Sequence, residues 1–206
     1  MSTFKSLITN KIYFGQLDEH EINFMQLIGA QSKYNGKLIP EKLAGNIKHQ
    51  VEAVFDEKTK QVEEFFKIIN PHLQKSIKEF DSGFGKIFKE DPDKHGFMYD
   101  LGEGPWINFQ QAGEFNPVHT HTGIVSAVVY IDVPPCIAEE HTGILKAAGN
   151  IDFIFGESSY WSNTILHHVP KTGEILIFPS HVKHTVYPFQ SKVERVSMSF
   201  NVQNIL

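Results

Sequence analysis

Residues 173–184 read Gly-Glu-Ile-Leu-Ile-Phe-Pro-Ser-His-Val-Lys-His. The apolar run has the length of a buried strand, Pro179 and Ser180 mark a turn, and His184 follows directly after it. Short apolar runs of the same kind recur at 97–101, 106–110, 124–133, 151–155 and 193–201, punctuated by Gly, Pro and Asn. Strands this short at this spacing predict an antiparallel sandwich or barrel. Two of the runs alternate cleanly. In 193–201, Arg195, Ser197, Ser199 and Asn201 share one face, while Val196, Met198 and Phe200 share the other. In 124–133, Ser126 and Tyr130 lie opposite the wholly apolar set Val125, Ala127, Val129, Ile131 and Val133. One face of each strand is therefore expected in the core, and the other is free to line a cavity.

Toward the N-terminus the period lengthens to that of a helix. Asp18 followed by Glu21 is a capping-box pattern ahead of Ile22, Met25, Leu27 and Ile28. Residues 41–69 alternate charged and apolar groups and predict one or two amphipathic helices. Asn70-Pro71 predicts a new helix start, with Leu73, Ile77, Phe80, Phe84 and Ile87 as its apolar stripe. Gly83 and Gly85 weaken its last turn, and Asp91-Pro92-Asp93 ends it. Helices followed by strands make the chain α+β. We read 1–206 as a single domain, with 1–95 a mainly helical support region and 96–206 the β core.

Composition narrows the function. The 206 residues are 41% hydrophobic and 21% charged, with a net charge of −5, which excludes a disordered chain and argues against a general nucleic-acid binder. No apolar run is long enough to span a membrane, and 1–14 is no signal peptide. A single cysteine, Cys136, excludes a disulfide framework or a multi-thiolate zinc site and points to a cytoplasmic protein. Two features stand out: 11 histidines, and a single arginine, Arg195, among 19 basic residues.

Both features bear on chemistry. The segment 113–121, Gly-Glu-Phe-Asn-Pro-Val-His-Thr-His, carries His119 and His121 two apart, so both rings point to one side. A bare His-x-His is often an exposed loop pair. Here it is the first of two ordered elements, G-x5-H-x-H and then G-x5-P-x4-H, a spacing found in jelly-roll metal proteins, with His181 standing where the second element usually has glycine. Imidazoles suit iron, zinc, copper or nickel, and three of them with open positions suit non-haem iron(II). Arg195 has the planar fork that a carboxylate accepts bidentately, and solubility would not require arginine in a chain that otherwise uses lysine.

The segments NPVHTHTG (116–123), GEILIFPSHVKH (173–184) and ERVSMSFN (194–201) resemble those of the Fe(II)/2-oxoglutarate-dependent dioxygenases. They are most similar to uncharacterised members encoded by marine bacteria and their phages, in which a strand ending Tyr-x-x-x-P follows the H-x-H element, here Tyr130 to Pro134. LAGNIKHQ at 43–50 also looks like the N-terminal part of such sequences. The resemblance implies a double-stranded β-helix (jelly roll, cupin-like) with the N-terminal helices packed on one sheet. It implies Fe(II) held by His119, His121 and His184, and 2-oxoglutarate as cosubstrate, its distal carboxylate paired with Arg195 and supported by Ser197. Tyr130 or Asn108 completes the cosubstrate pocket on this reading. The implied reaction consumes 2-oxoglutarate and oxygen, releases succinate and carbon dioxide, and hydroxylates a primary substrate that the sequence does not identify; the cell would be a bacterium or a phage-infected host. The chain departs from the family at His121, where a carboxylate is usual.

Other readings stay open at this point. A cupin-like metal enzyme would use the three histidines without 2-oxoglutarate, and a non-catalytic jelly-roll module would keep a metal for stability alone. His181 reads as a turn residue. Residues 170–173, Pro-Lys-Thr-Gly, read as a turn between strands, so His167 and His168 just before it read as solvent-exposed, and His20, His49, His72 and His95 as surface residues. Trp106 and Trp161 read as packing residues, either of which could face substrate, and His141 is given no role.

Overall fold

The computed structural model describes residues 11–39, 45–81, 99–102, 104–140, 147–157, 160 and 163–205. Two antiparallel sheets form the body. The larger has six strands: β1 (Tyr13–Gln16), β9 (Glu174–Pro179), β6 (Val125–Asp132), β11 (Arg195–Val202), β4 (Trp106–Gln110) and β2 (Gln50–Glu52), in that spatial order. The smaller has four: β5 (Asn116–His119), β10 (Lys183–Val186), β7 (Ile151–Ile154) and β8 (Ile165–His168). A two-stranded ribbon pairs β3 (Tyr99–Asp100) with β12 (Asn204–Ile205).

Alternation along β6 and β11 divides the interior as the sequence predicts. Val125, Ala127, Val129 and Ile131 of β6 join Val196, Met198 and Phe200 of β11 in one core cluster. Helices α1 (Glu19–Asn35) and α2 (Gln61–Asp81) cover that face of the large sheet, contributing Met25 and Ile28, then Phe65, Ile69, Leu73 and Ile77. The opposite face of the large sheet looks toward the small one. There Val128, Tyr130, Leu176 and Phe178 pack with Ile151, Phe153 and Val186. Burying two such apolar faces is what holds the layers together.

The entry to α1 is fixed by its cap. Asp18 Oδ1 accepts from the Glu21 backbone N–H at 2.8 Å, and Glu21 Oε2 accepts from the Asp18 N–H at 2.8 Å. These bonds satisfy donors the helix start leaves free.

Several expectations are corrected. No helix starts at Asn70-Pro71: α2 runs from Gln61 through Pro71, which is exposed on its outer side. The buried row Phe65, Ile68, Ile69, Leu73 and Ile77 continues without a break past the proline, so packing outweighs the one hydrogen bond that proline cannot donate. The stretch 41–69 is not helical throughout, since 50–52 is an edge strand. The N-terminal half is thus more than helical cover, because β1 and β2 form the two edges of the large sheet. The turn expected at 170–173 lies between β8 and β9, and His167 before it is exposed, with its Nδ1 2.9 Å from the buried Asp152; His168 is half-buried rather than exposed, its Nε2 2.8 Å from Glu174 Oε2. Nor are His49 and His72 plain surface residues: His49 stacks on Phe109, and His72 bonds the Tyr13 hydroxyl at 2.8 Å. The expectations for Leu43, Ala44, Gly83 to Asp93, His95, His141 and Trp161 lie outside the described residues. No helix among the described residues is long and apolar enough to cross a membrane.

Candidate metal centre

The ends of two strands and a turn assemble the site. His119 is the last residue of β5, and β5 pairs with β10 so that His119 stands directly opposite His184. His184 in turn sits opposite Phe153 of β7 and is 3% exposed. His121 follows in the turn before β6, where its N–H donates to the Ser180 carbonyl at 2.9 Å and ties it to the Pro-Ser turn. One potential ligand nitrogen from each ring lies within 4.8 Å of the others. The ring centroids of His119 and His184 are 4.1 Å apart, and that of His121 is 5.0 Å from each.

The tautomers suit a metal. His119 Nδ1 lies 2.7 Å from the Pro117 carbonyl and His184 Nδ1 lies 3.0 Å from the Val182 carbonyl. A carbonyl only accepts, so each Nδ1 carries the proton and each Nε2 keeps its lone pair for a cation. Burial lowers all three proton affinities: His184 falls to about 3, with His119 and His121 as further charge causes; His121 falls to about 4 by burial and then by His119; and His119 falls below its ordinary value. At neutral pH the three rings are neutral donors, as a metal requires.

These low proton affinities carry a pH prediction for the metal-free protein. In the unfolded chain these rings take up protons near pH 6.5, whereas in the folded chain His184 resists until about 3 and His121 until about 4. Their contribution to stability is therefore complete above pH 6.5 and is lost as pH falls from there toward 3. Urea unfolding of the apoprotein should give a lower midpoint at pH 5 than at pH 7.5. The slope should be shallower in His184→Gln, which offers an amide that takes up no proton; equal slopes would contradict the assigned burial.

A cavity extends from the histidines along the inner face of the large sheet. The expected polar face of β11 lines it: Arg195, Ser197, Ser199 and Asn201. Arg195 is 3% exposed, so burial lowers its proton affinity. Its Nη1 donates to the Gly149 carbonyl at 2.6 Å, its guanidinium lies 5.7 Å from the centre of the Tyr130 ring, and its Nε has no partner among the described residues. No carboxylate pairs with it among those residues. A buried cation left without an anion is costly, and this one faces a cavity, so the geometry suits a carboxylate ligand. Gly149 makes this possible: it sits at φ +66, and a Cβ there would come within 2.5 Å of Ile137.

The remaining sequence candidates gather at the same place. Tyr130 is buried against Arg195, and burial raises its phenol. Asn108 Nδ2 donates to Ser199 Oγ at 3.3 Å and to Ser197 Oγ at 3.5 Å. Trp106 lines the cavity, the second of the two places the sequence left open to it, with its ring 6.0 Å from that of His121. Gln50 was not singled out by the sequence. It lies on β2, is 6% exposed, lines the cavity and donates to Asn108 Oδ1. A polar residue on a three-residue strand inside an apparently helical stretch gives no periodic signal. His181 is an exposed turn residue, as expected.

The chain's likeness to known proteins follows the same lines. Residues 104–201 match a protein family described as "Putative 2OG-Fe(II) oxygenase". No curated protein matches the sequence. Among solved structures, a Pseudomonas putida prolyl-4-hydroxylase is similar at 16% identity and a TM-score of 0.59, with 95% of this chain and 94% of that one covered. A Trichoplax adhaerens prolyl hydroxylase, solved with a peptide fragment of the hypoxia inducible factor oxygen degradation domain, is 13% identical, with a TM-score of 0.56 over 95% of this chain and 84% of that one. A Burkholderia pseudomallei oxidoreductase of the 2OG-Fe(II) oxygenase family is 12% identical, with a TM-score of 0.52 over 94% and 88%. The likeness of the three structures is one of fold. The family match covers every histidine and polar residue of the site except Gln50.

Proposed function

We infer that this chain is an oxygenase that uses iron(II) and 2-oxoglutarate, from the family match over 104–201 together with the three-histidine cluster. It is thus an oxidoreductase with Fe(II) as its cofactor and 2-oxoglutarate as its cosubstrate. We read the two facing sheets as a double-stranded β-helix and the whole chain as one domain, with a cytoplasmic setting; the match and the single cysteine support this reading.

In this assignment His119, His121 and His184 hold the iron, His119 and His184 through the Nε2 that their Nδ1 contacts leave free. Arg195 takes the distal carboxylate of 2-oxoglutarate. The single observation that carries the pocket is the buried guanidinium with an unpartnered Nε on the wall of the histidine cavity. It also separates this reading from a cupin-like enzyme without 2-oxoglutarate, for which a buried arginine aimed at an anion has no use.

Iron(II) when bound supplies oxygen activation coupled to decarboxylation of 2-oxoglutarate. The protein's part is placement. Tyr130 flanks the guanidinium on one side and the Gly149 carbonyl holds it from another, so the fork keeps one orientation. Ser197, Asn108 and Gln50 form a hydrogen-bonded chain that lines the same wall and would present polar atoms to the cosubstrate. Ile151 and Val186 of the small sheet close the other side, Phe178 adds an apolar ring beside them, and together they exclude solvent. Three neutral imidazoles leave the full charge of the metal to the dianionic cosubstrate, which favours tight retention of 2-oxoglutarate.

The test is stoichiometric. Purified chain with Fe(II), 2-oxoglutarate and oxygen should release succinate, slowly without a primary substrate, and removal of iron by a chelator should stop it. Succinate release that persists without iron would refute the assignment.

A further inference from the structure

A second cleft opens beside the histidine cavity, and Gln50, Trp106, His121 and Asn201 line both. A molecule seated in the cleft therefore lies against His121, on the metal side of the site, while the Arg195 end belongs to the inner cavity alone. The cleft has a distinct chemistry. Glu52 is the one charged side chain among its described lining residues, and no lysine or arginine is among them. Gln203 Nε2 donates to Thr122 Oγ1 at 3.2 Å, which leaves the Gln203 amide oxygen as an acceptor. Trp106 adds an aromatic ring, which attracts cations through its face. A carboxylate, an amide oxygen and an indole together favour a group rich in N–H donors and repel an anion.

We propose that this cleft binds the primary substrate and that the substrate carries an ammonium or guanidinium group held by Glu52 and Trp106. The proposal rests on the oxygenase reading of the adjoining histidine site. Asn201 Oδ1 accepts from Ser126 Oγ at 2.8 Å, so the Asn201 amide NH2 is left to donate to a carbonyl or hydroxyl elsewhere on the same molecule. Phosphorylated and polycarboxylate substrates are disfavoured, in keeping with the net charge of −5. If Glu52 were only a solvated rim carboxylate, the cleft would show no preference between cations and anions.

The experiment uses full-length protein with Mn(II) in place of iron and saturating 2-oxoglutarate, and follows paramagnetic broadening of the NMR lines of three probes. These are agmatine (cationic), glutaramide (neutral) and glutarate (anionic). Agmatine should be broadened saturably and glutarate should not, because 2-oxoglutarate already fills the carboxylate site. Glu52→Gln should weaken agmatine about tenfold, the scale of one lost charged hydrogen bond, and should leave glutaramide little changed. Agmatine that is not broadened, glutarate broadened as strongly as agmatine, or agmatine affinity unaltered in the variant would each overturn the proposal. Broadening of 2-oxoglutarate itself, measured in wild-type protein without probes, is a separate reading: its absence would overturn the oxygenase assignment instead.

Discussion

His184→Ala is expected to bind iron more than about 100-fold more weakly than the wild-type chain, and to release no succinate at wild-type iron concentrations. Of the three rings, His184 is the most deeply buried, at 3% exposed, and pairing across β10 and β5 sets it against His119. Alanine removes one of three nitrogen donors and leaves the other two with no protein group to replace it. The loss should exceed the tenfold to hundredfold commonly seen when only a group supporting a ligand is removed. Metal content after dialysis and calorimetric titration with Fe(II) under nitrogen read the effect directly. His181→Ala is the control, since it changes an exposed turn residue three positions away and should keep its iron. Full metal occupancy in His184→Ala would refute the site as assigned.

The second large effect concerns Arg195. Arg195→Met should keep iron and lose 2-oxoglutarate binding by about 100-fold or more, the scale expected when one partner of a buried charge pair is removed and the other is left unpaired. Arg195→Lys should recover little of it. A lysine is a single point charge without the planar fork, and its shorter reach takes it from the Gly149 carbonyl that positions the guanidinium. A stability readout separates binding from folding. In Ni(II)-loaded wild-type protein, 2-oxoglutarate should raise the melting temperature, and go on raising it with the logarithm of its free concentration above the Kd. In Arg195→Met the ligand-dependent shift should vanish while the metal-dependent shift remains. If both shifts persist in the variant, Arg195 does not bind the cosubstrate.

How much of this was legible before folding varies from element to element, for identifiable reasons. The strand Arg195–Val202 was readable because a two-residue period divides polar from apolar without exception, and the structure puts Val196, Met198 and Phe200 in the core and Arg195 and Ser197 on the cavity. The strand Val125–Asp132 was readable because one of its faces, Val125, Ala127, Val129 and Ile131, is wholly apolar, even though Val128 falls on the other. The cap at Asp18 was readable because a capping box is local, needing only its own four residues. Pro71 misled because the Asn-Pro pair is a strong local signal, whereas what keeps the helix going is a buried row contacting a sheet more than a hundred residues away in sequence, at Ile175 and Ile177. Strands β2, β5, β8 and β10 have three or four residues each, too few for alternation to register. Their absence from the sequence reading explains the two main surprises at the site: Gln50 on β2, and the β5–β10 pairing that sets His119 against His184. The three histidines and the arginine were recoverable by motif order, but their convergence depends on those short strands.

The central claim is that one pocket holds iron(II) through three histidines and 2-oxoglutarate through Arg195. An anaerobic titration of the Fe(II)-loaded chain with 2-oxoglutarate, followed by visible absorption, tests it most directly. The weak charge-transfer band that the resemblance to 2-oxoglutarate oxygenases implies should grow saturably in wild-type protein and fail to form in both His184→Ala and Arg195→Met. A chain that holds Fe(II) yet shows no band at saturating 2-oxoglutarate, or a band of full strength in Arg195→Met, would contradict it.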